Sequence, residues 1–106
     1  MDSIFREGDE QELLEIFLHR MFTDSEFQLL TTEEVGQYFL LFLQMLENRE
    51  PVLRDDDTYL SRVARLDTGK TLSENVRRMF NHEEIDTGNG QAMVLRDPYL
   101  ARLIRK

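Results

Sequence analysis

The chain has no cysteine and no tryptophan. Without cysteine there can be no disulfide scaffold, no cysteine nucleophile and no thiolate metal site. Long apolar runs are missing too: none approaches the ~20 residues that span a bilayer. The opening Met1-Asp2-Ser3-Ile4-Phe5-Arg6-Glu7 is acidic and lacks a basic stretch before an apolar core, so no signal peptide is expected. An excess of positive charge is also absent. The net charge is −8, which argues against a simple nucleic-acid coat protein. What is present is 106 residues, 41% hydrophobic and 32% charged, a balance that fits one folded domain rather than a disordered chain. A domain of this size buries roughly 60–70% of the surface its unfolded chain exposes. A cytoplasmic location is the expectation.

The charge is unevenly spread. Residues 1–58 hold 15 acidic and 4 basic side chains, whereas residues 59–106 hold 6 and 9. The split suggests two working surfaces on one domain: an acidic helical part over 1–57 and a mildly basic part over 58–104.

Hydrophobic spacing gives the elements. After a loose start of eight residues, Asp9 to Phe22 reads as a helix, with Leu13, Phe17 and Met21 at spacing four and Leu14 and Leu18 beside them. Thr23 and Glu26, Thr31 and Glu34, and Thr71 and Glu74 each have capping-box spacing. The second box opens a long helix to about Asn48. Its stretch Tyr38–Leu46 is apolar nearly all round, as in a helix buried on most sides. It is either the central helix of the domain or part of a homodimer interface through Phe39, Phe42, Leu43 and Leu46. Arg49 to Asp57 reads as a loop ending in Asp55, Asp56 and Asp57, which can cap the next helix. That helix, Thr58–Leu66, has the stripe Leu60, Val63 and Leu66. Asp67-Thr68-Gly69-Lys70 is a tight break, and a helix from Leu72 to Asn81 turns Leu72, Val76, Met79 and Phe80 inward. The period then changes. Glu84–Asp86 and Ala92–Leu95 flank the glycine-rich Thr87–Gln91, which reads as a hairpin. Asp97-Pro98 starts a closing helix with the stripe Tyr99, Leu100, Leu103 and Ile104.

Helix, glycine turn, helix, hairpin is the order of a winged helix-turn-helix. Residues 63–80 resemble the two helices of that motif, and residues 90–103 resemble the second wing strand and closing helix of winged regulators of the cyclic-AMP receptor protein type. The resemblance covers residues 58–104. It implies a mainly α fold with one small β-hairpin, a winged helix-turn-helix-like core preceded by N-terminal helices. It also implies a second helix that enters the major groove of double-stranded DNA. The residues this places on DNA are Lys70, Thr71, Ser73, Arg77, Arg78 and Asn81. The sequence departs from the family at the wing: no lysine or arginine lies between Arg78 and Arg96, where a phosphate clamp is usual.

Motifs with a chemical look do not hold together. Thr68-Gly69-Lys70-Thr71 resembles the end of a phosphate-binding loop, but the first glycine such a loop needs is replaced by Ala64. Asp-Thr-Gly occurs at 67–69 and 86–88, where it reads as turn chemistry rather than an aspartic-protease pair. The run Asp55–Asp57 lacks the alternation of a calcium loop. His82, Glu83, Glu84 and Asp86 are too close in sequence to converge on one ion. His19 reads as a boundary residue. No catalytic set, cofactor or metal is therefore expected, and the chain reads as a non-enzyme. Two functions remain. One is a small dimeric DNA-binding transcription regulator. The other is an acidic protein-binding module (adaptor, immunity protein, inhibitor or nucleic-acid mimic) that takes a basic partner through Asp55, Asp56 and Asp57.

Overall fold

The computed structural model describes residues 9–103. Expectations placed on residues 1–8, on Ile104 and on the side chains of Leu13, Phe17, Met21 and Leu103 lie outside the described residues. About half of the chain is helical, and the described strands form one three-stranded antiparallel sheet. No described helix is long and apolar enough to cross a membrane.

Helix α1 (Asp9–Thr23) packs on the short α2 (Ser25–Gln28) and, across the domain, on the C-terminal helix. Leu14 and Leu18 are exposed on it, together with Phe22. The cap of α2 is Asp24, whose carboxylate accepts from the backbone of Glu26 and Phe27. Thr23 does not form the expected box; its hydroxyl donates to the carbonyl of His19 at 2.5 Å.

Helix α3 (Thr32–Asn48) begins as the sequence predicts. Thr31 and Glu34 exchange side-chain to backbone bonds at 3.0 and 3.1 Å, a complete capping box. It ends on Arg49 in the left-handed region, φ 57°, with the Glu50 N–H donating to the Met45 carbonyl. Tyr38, Leu41, Phe42, Met45 and Leu46 line its buried face. It touches the first strand and the two helices that follow, so it is the central helix of the domain. This corrects the dimer reading for two residues. Phe42 is 0% exposed and Leu46 7%, so both are consumed by the domain's own core; Phe39 and Leu43, at 43% and 41%, reach the surface.

The loop expected over 49–57 contains a strand, β1 (Val52–Arg54), before α4 (Asp57–Val63). Asp56 caps α4 by accepting from Thr58 and Tyr59. The helix stops three residues before Leu66 because Arg65 adopts φ 58° and the Leu66 N–H closes on the Ser61 carbonyl. Gly69, at φ 88°, makes the turn.

Helix α5 is much shorter than expected, Glu74–Arg77 instead of Leu72–Asn81. Its cap is Ser73, not Thr71. Tight bonds from Met79 to Val76 and from Phe80 to Arg77 unwind the end while Met79 and Phe80 enter the core. Asn81 is consequently the first residue of β2 (Asn81–Asp86), not a member of the helix face. The hairpin exists and is longer than expected: β2 pairs with β3 (Gln91–Arg96) in register from Asn81–Arg96 to Asp86–Gln91. On its other side β3 pairs with β1, giving the order β1-β3-β2. The last described element is α6 (Leu100–Leu103), capped by Asp97 through the backbone of Tyr99 and Leu100.

Candidate functional site

The helix that the sequence places against DNA is tied into the domain at both ends. At its start, the Ser73 N–H donates to Gln37 at 3.1 Å and the Ser73 hydroxyl donates to Glu34. The same Glu34 oxygen accepts from the Asn75 amide at 3.1 Å. Its other oxygen accepts from the Thr31 N–H. A half-buried carboxylate thus clamps the N-termini of α3 and α5 together. These bonds, that from Ser73 foremost and then that from Thr31, hold the Glu34 carboxyl below its ordinary value of 4.5 against the opposing effect of burial.

The sign of the pH effect follows. A carboxyl with a lowered folded-state value contributes stability in full above about pH 4.5, and that contribution is lost as the pH falls through the folded value. Glu34→Gln is expected to be less stable at neutral pH and to lose stability less steeply on acidification. Melting temperatures from pH 7 down to pH 3 check this; parallel curves for the two proteins would refute it.

At the other end of α5, Arg77 reaches back to the loop before α4. One guanidinium nitrogen bonds Asp55 at 2.5 Å and another bonds Asp57. Burial acts against the charge of this guanidinium. The Asp55 bond and the charges of Asp55, Asp57 and Glu74 more than reverse that, and raise Arg77 above the usual arginine value. His82 completes the group: one ring nitrogen lies 3.7 Å from Asp55 and the other 3.2 Å from the Arg77 carbonyl. Asp55, Asp57, Glu74, Arg77, His82 and Met93 line one shallow polar cleft.

The residues expected on DNA therefore divide. Ser73 and Arg77 are bound within the domain, and Asn81 lies on the hairpin. Lys70 and Thr71 are exposed in the turn, Lys70 3.9 Å from an exposed Asp67. Arg78 is exposed with a 3.5 Å contact to Asn75. Of the acidic trio, Asp55 and Asp57 bracket Arg77 and Asp56 caps α4.

The acids of the hairpin fall outside the residues that the sequence marks for a basic partner. Glu84 and Asp86 are exposed on β2, and Glu83 is held by Arg96 at 2.6 Å. Three acids within four residues of a strand, Glu83, Glu84 and Asp86, are the signal the sequence carries. No family model, curated protein or solved structure matches the chain.

Proposed function

We propose that the chain is a winged-helix domain working as a protein-binding module, one that takes a basic partner in place of duplex DNA. Element order supports the winged-helix reading. α4, a glycine turn, α5 and the hairpin follow one another, and β3 pairs back onto the strand that precedes α4.

The observation that carries the protein-binding reading is the internal engagement of α5. A base-reading helix needs free donors on its outer face. Here Ser73 and Asn75 serve Glu34, and Arg77 serves Asp55 and Asp57. The surface around α5 then presents Glu74 and the Arg77-bound Asp57 alongside Lys70 and Arg78, and the hairpin presents Glu84 and Asp86, with Glu83 held by Arg96. Acids in these positions repel phosphates and attract lysine or arginine.

The test is a pair of titrations at low salt, one with labelled random-sequence duplex DNA and one with a peptide of alternating lysine and valine. The expected result is no saturable binding of the duplex and peptide binding that weakens as salt rises. Salt-sensitive duplex binding that disappears when Lys70, Arg77 and Arg78 are all replaced by alanine would overturn the reading in favour of a DNA-binding regulator. Failure to bind the peptide at low salt would also overturn it.

A further inference from the structure

We propose that the partner docks as an added strand on the outer edge of β2, and that the docking segment is extended and alternates basic with aliphatic residues. This rests on the protein-binding reading and specifies its site.

With the order β1-β3-β2, one side of β2 faces away from the sheet. The strand is six residues long, contains no proline or glycine, and pairs one-to-one with β3 along its whole length without a bulge. Among the described residues, no backbone–backbone bond outside the β3 ladder involves residues 81–86. A row of backbone donors and acceptors is therefore left open for an incoming strand.

Side chains on the two faces specify what can add. His82, Glu84 and Asp86 alternate on one face, and Glu84 stands opposite Met93, which is 43% exposed. Among the described residues no ion pair involves Glu84, and Arg96 on the neighbouring strand is taken by Glu83. On the other face Ile85 is half-buried between Glu83 and the hairpin end, opposite Ala92. An added strand with period two would set lysine or arginine beside Glu84 and Asp86 and an aliphatic side chain beside Ile85.

A second copy of the chain is a poor occupant. Pairing β2 antiparallel with its own copy over residues 81–86 sets Glu83 of each strand against Glu84 of the other, and like charges across strands are destabilising. The acids thus oppose self-association and favour a strand of opposite charge.

The experiment uses the full chain, isotope-labelled, and the capped peptide Lys-Val-Lys-Val-Lys-Val-Lys. A second peptide of identical sequence carries N-methyl groups on alternate residues, which keeps its charge and blocks strand addition along that edge. Expected are slowed hydrogen exchange at alternate amides of β2 with the first peptide and about tenfold or more weaker binding of the second, as lost hydrogen bonds require. The double variant Glu84→Lys with Asp86→Lys, both exposed positions, is expected to lose the lysine peptide and gain the corresponding glutamate–valine peptide. Equal affinity for the methylated and unmethylated peptides, or protection only outside β2, overturns the edge site while leaving the protein-binding reading intact. Binding of neither peptide overturns both. Protected β2 amides in a dimer formed without peptide would replace the basic segment with a second copy.

Discussion

Asp97→Ala is expected to lower the stability of the domain by about 3–5 kcal/mol, the range for breaking a buried hydrogen-bonded charge. Asp97 is 0% exposed. Its carboxylate accepts the Tyr38 hydroxyl at 2.7 Å and the backbone N–H groups of Tyr99 and Leu100, both at 2.9 Å. Alanine strands a buried phenol and uncaps α6, and an N-cap alone is worth about 1 kcal/mol. The loss spreads beyond α6. Arg20, also buried, donates to the Met79 carbonyl at 3.0 Å, lies 3.4 Å from Asp24 and stacks its guanidinium over the rings of Tyr38 and Tyr99. The group therefore joins α1, α3, the start of α6 and the segment between α5 and β2. Burial and the Asp97 charge push the Tyr38 phenol well above the usual tyrosine range, so it stays a donor to Asp97. Urea denaturation at neutral pH reads the effect as a lower midpoint at unchanged slope. Asp97→Asn, which keeps an acceptor for the two backbone donors, should cost clearly less. If Asp97→Ala costs under about 1 kcal/mol, the group does not hold these elements together.

Phe42→Ala is expected to cost about 3–5 kcal/mol, as for other fully buried phenylalanines. Phe42 is surrounded by core residues, with the Tyr38 ring at a centroid distance of 6.0 Å. Leu43→Ala, one residue further along α3, should stay within about 1 kcal/mol because that side chain is 41% exposed. Denaturation curves and sizing at matched concentrations separate this from an interface role. A residue whose place is at a dimer interface would shift the oligomer in proportion to concentration, whereas loss of a core residue lowers the melting temperature at every concentration.

Three local signals in the sequence have their counterparts in the structure, whereas the capping-box spacings at Thr23 and Thr71 do not, because Asp24 and Ser73 cap those helices instead. Thr31 and Glu34 announce α3, Gly69 announces the break before α5, and Asp97-Pro98 announces the last turn. What stayed hidden depends on distant partners. β1 is three residues long and is a strand only because Val52, Leu53 and Arg54 meet Arg96, Leu95 and Val94, forty or more residues away. The end of α5 is decided by the burial of Met79 and Phe80 and by the start of the sheet, so helical spacing overruns it. Arg77 shows the same limit at the candidate site. Its residue type suits a guanine, but the chain folds two aspartates onto it from twenty and twenty-two residues back. Phe42 and Leu43 could not be told apart because an almost wholly apolar helix carries no mark of which side faces out.

The position of β3 has a consequence for synthesis. It is the middle strand and also the last of the three to leave the ribosome. Until residues 91–96 emerge, β1 and β2 have no neighbour to bond, and the sheet cannot begin to form from the part already made. Helix α3 and its capping box can form early because their contacts are local. β1 therefore stays unpaired while residues 55–90 are made, β2 only while the turn 87–90 is made, and residues 91–96 then bond both strands.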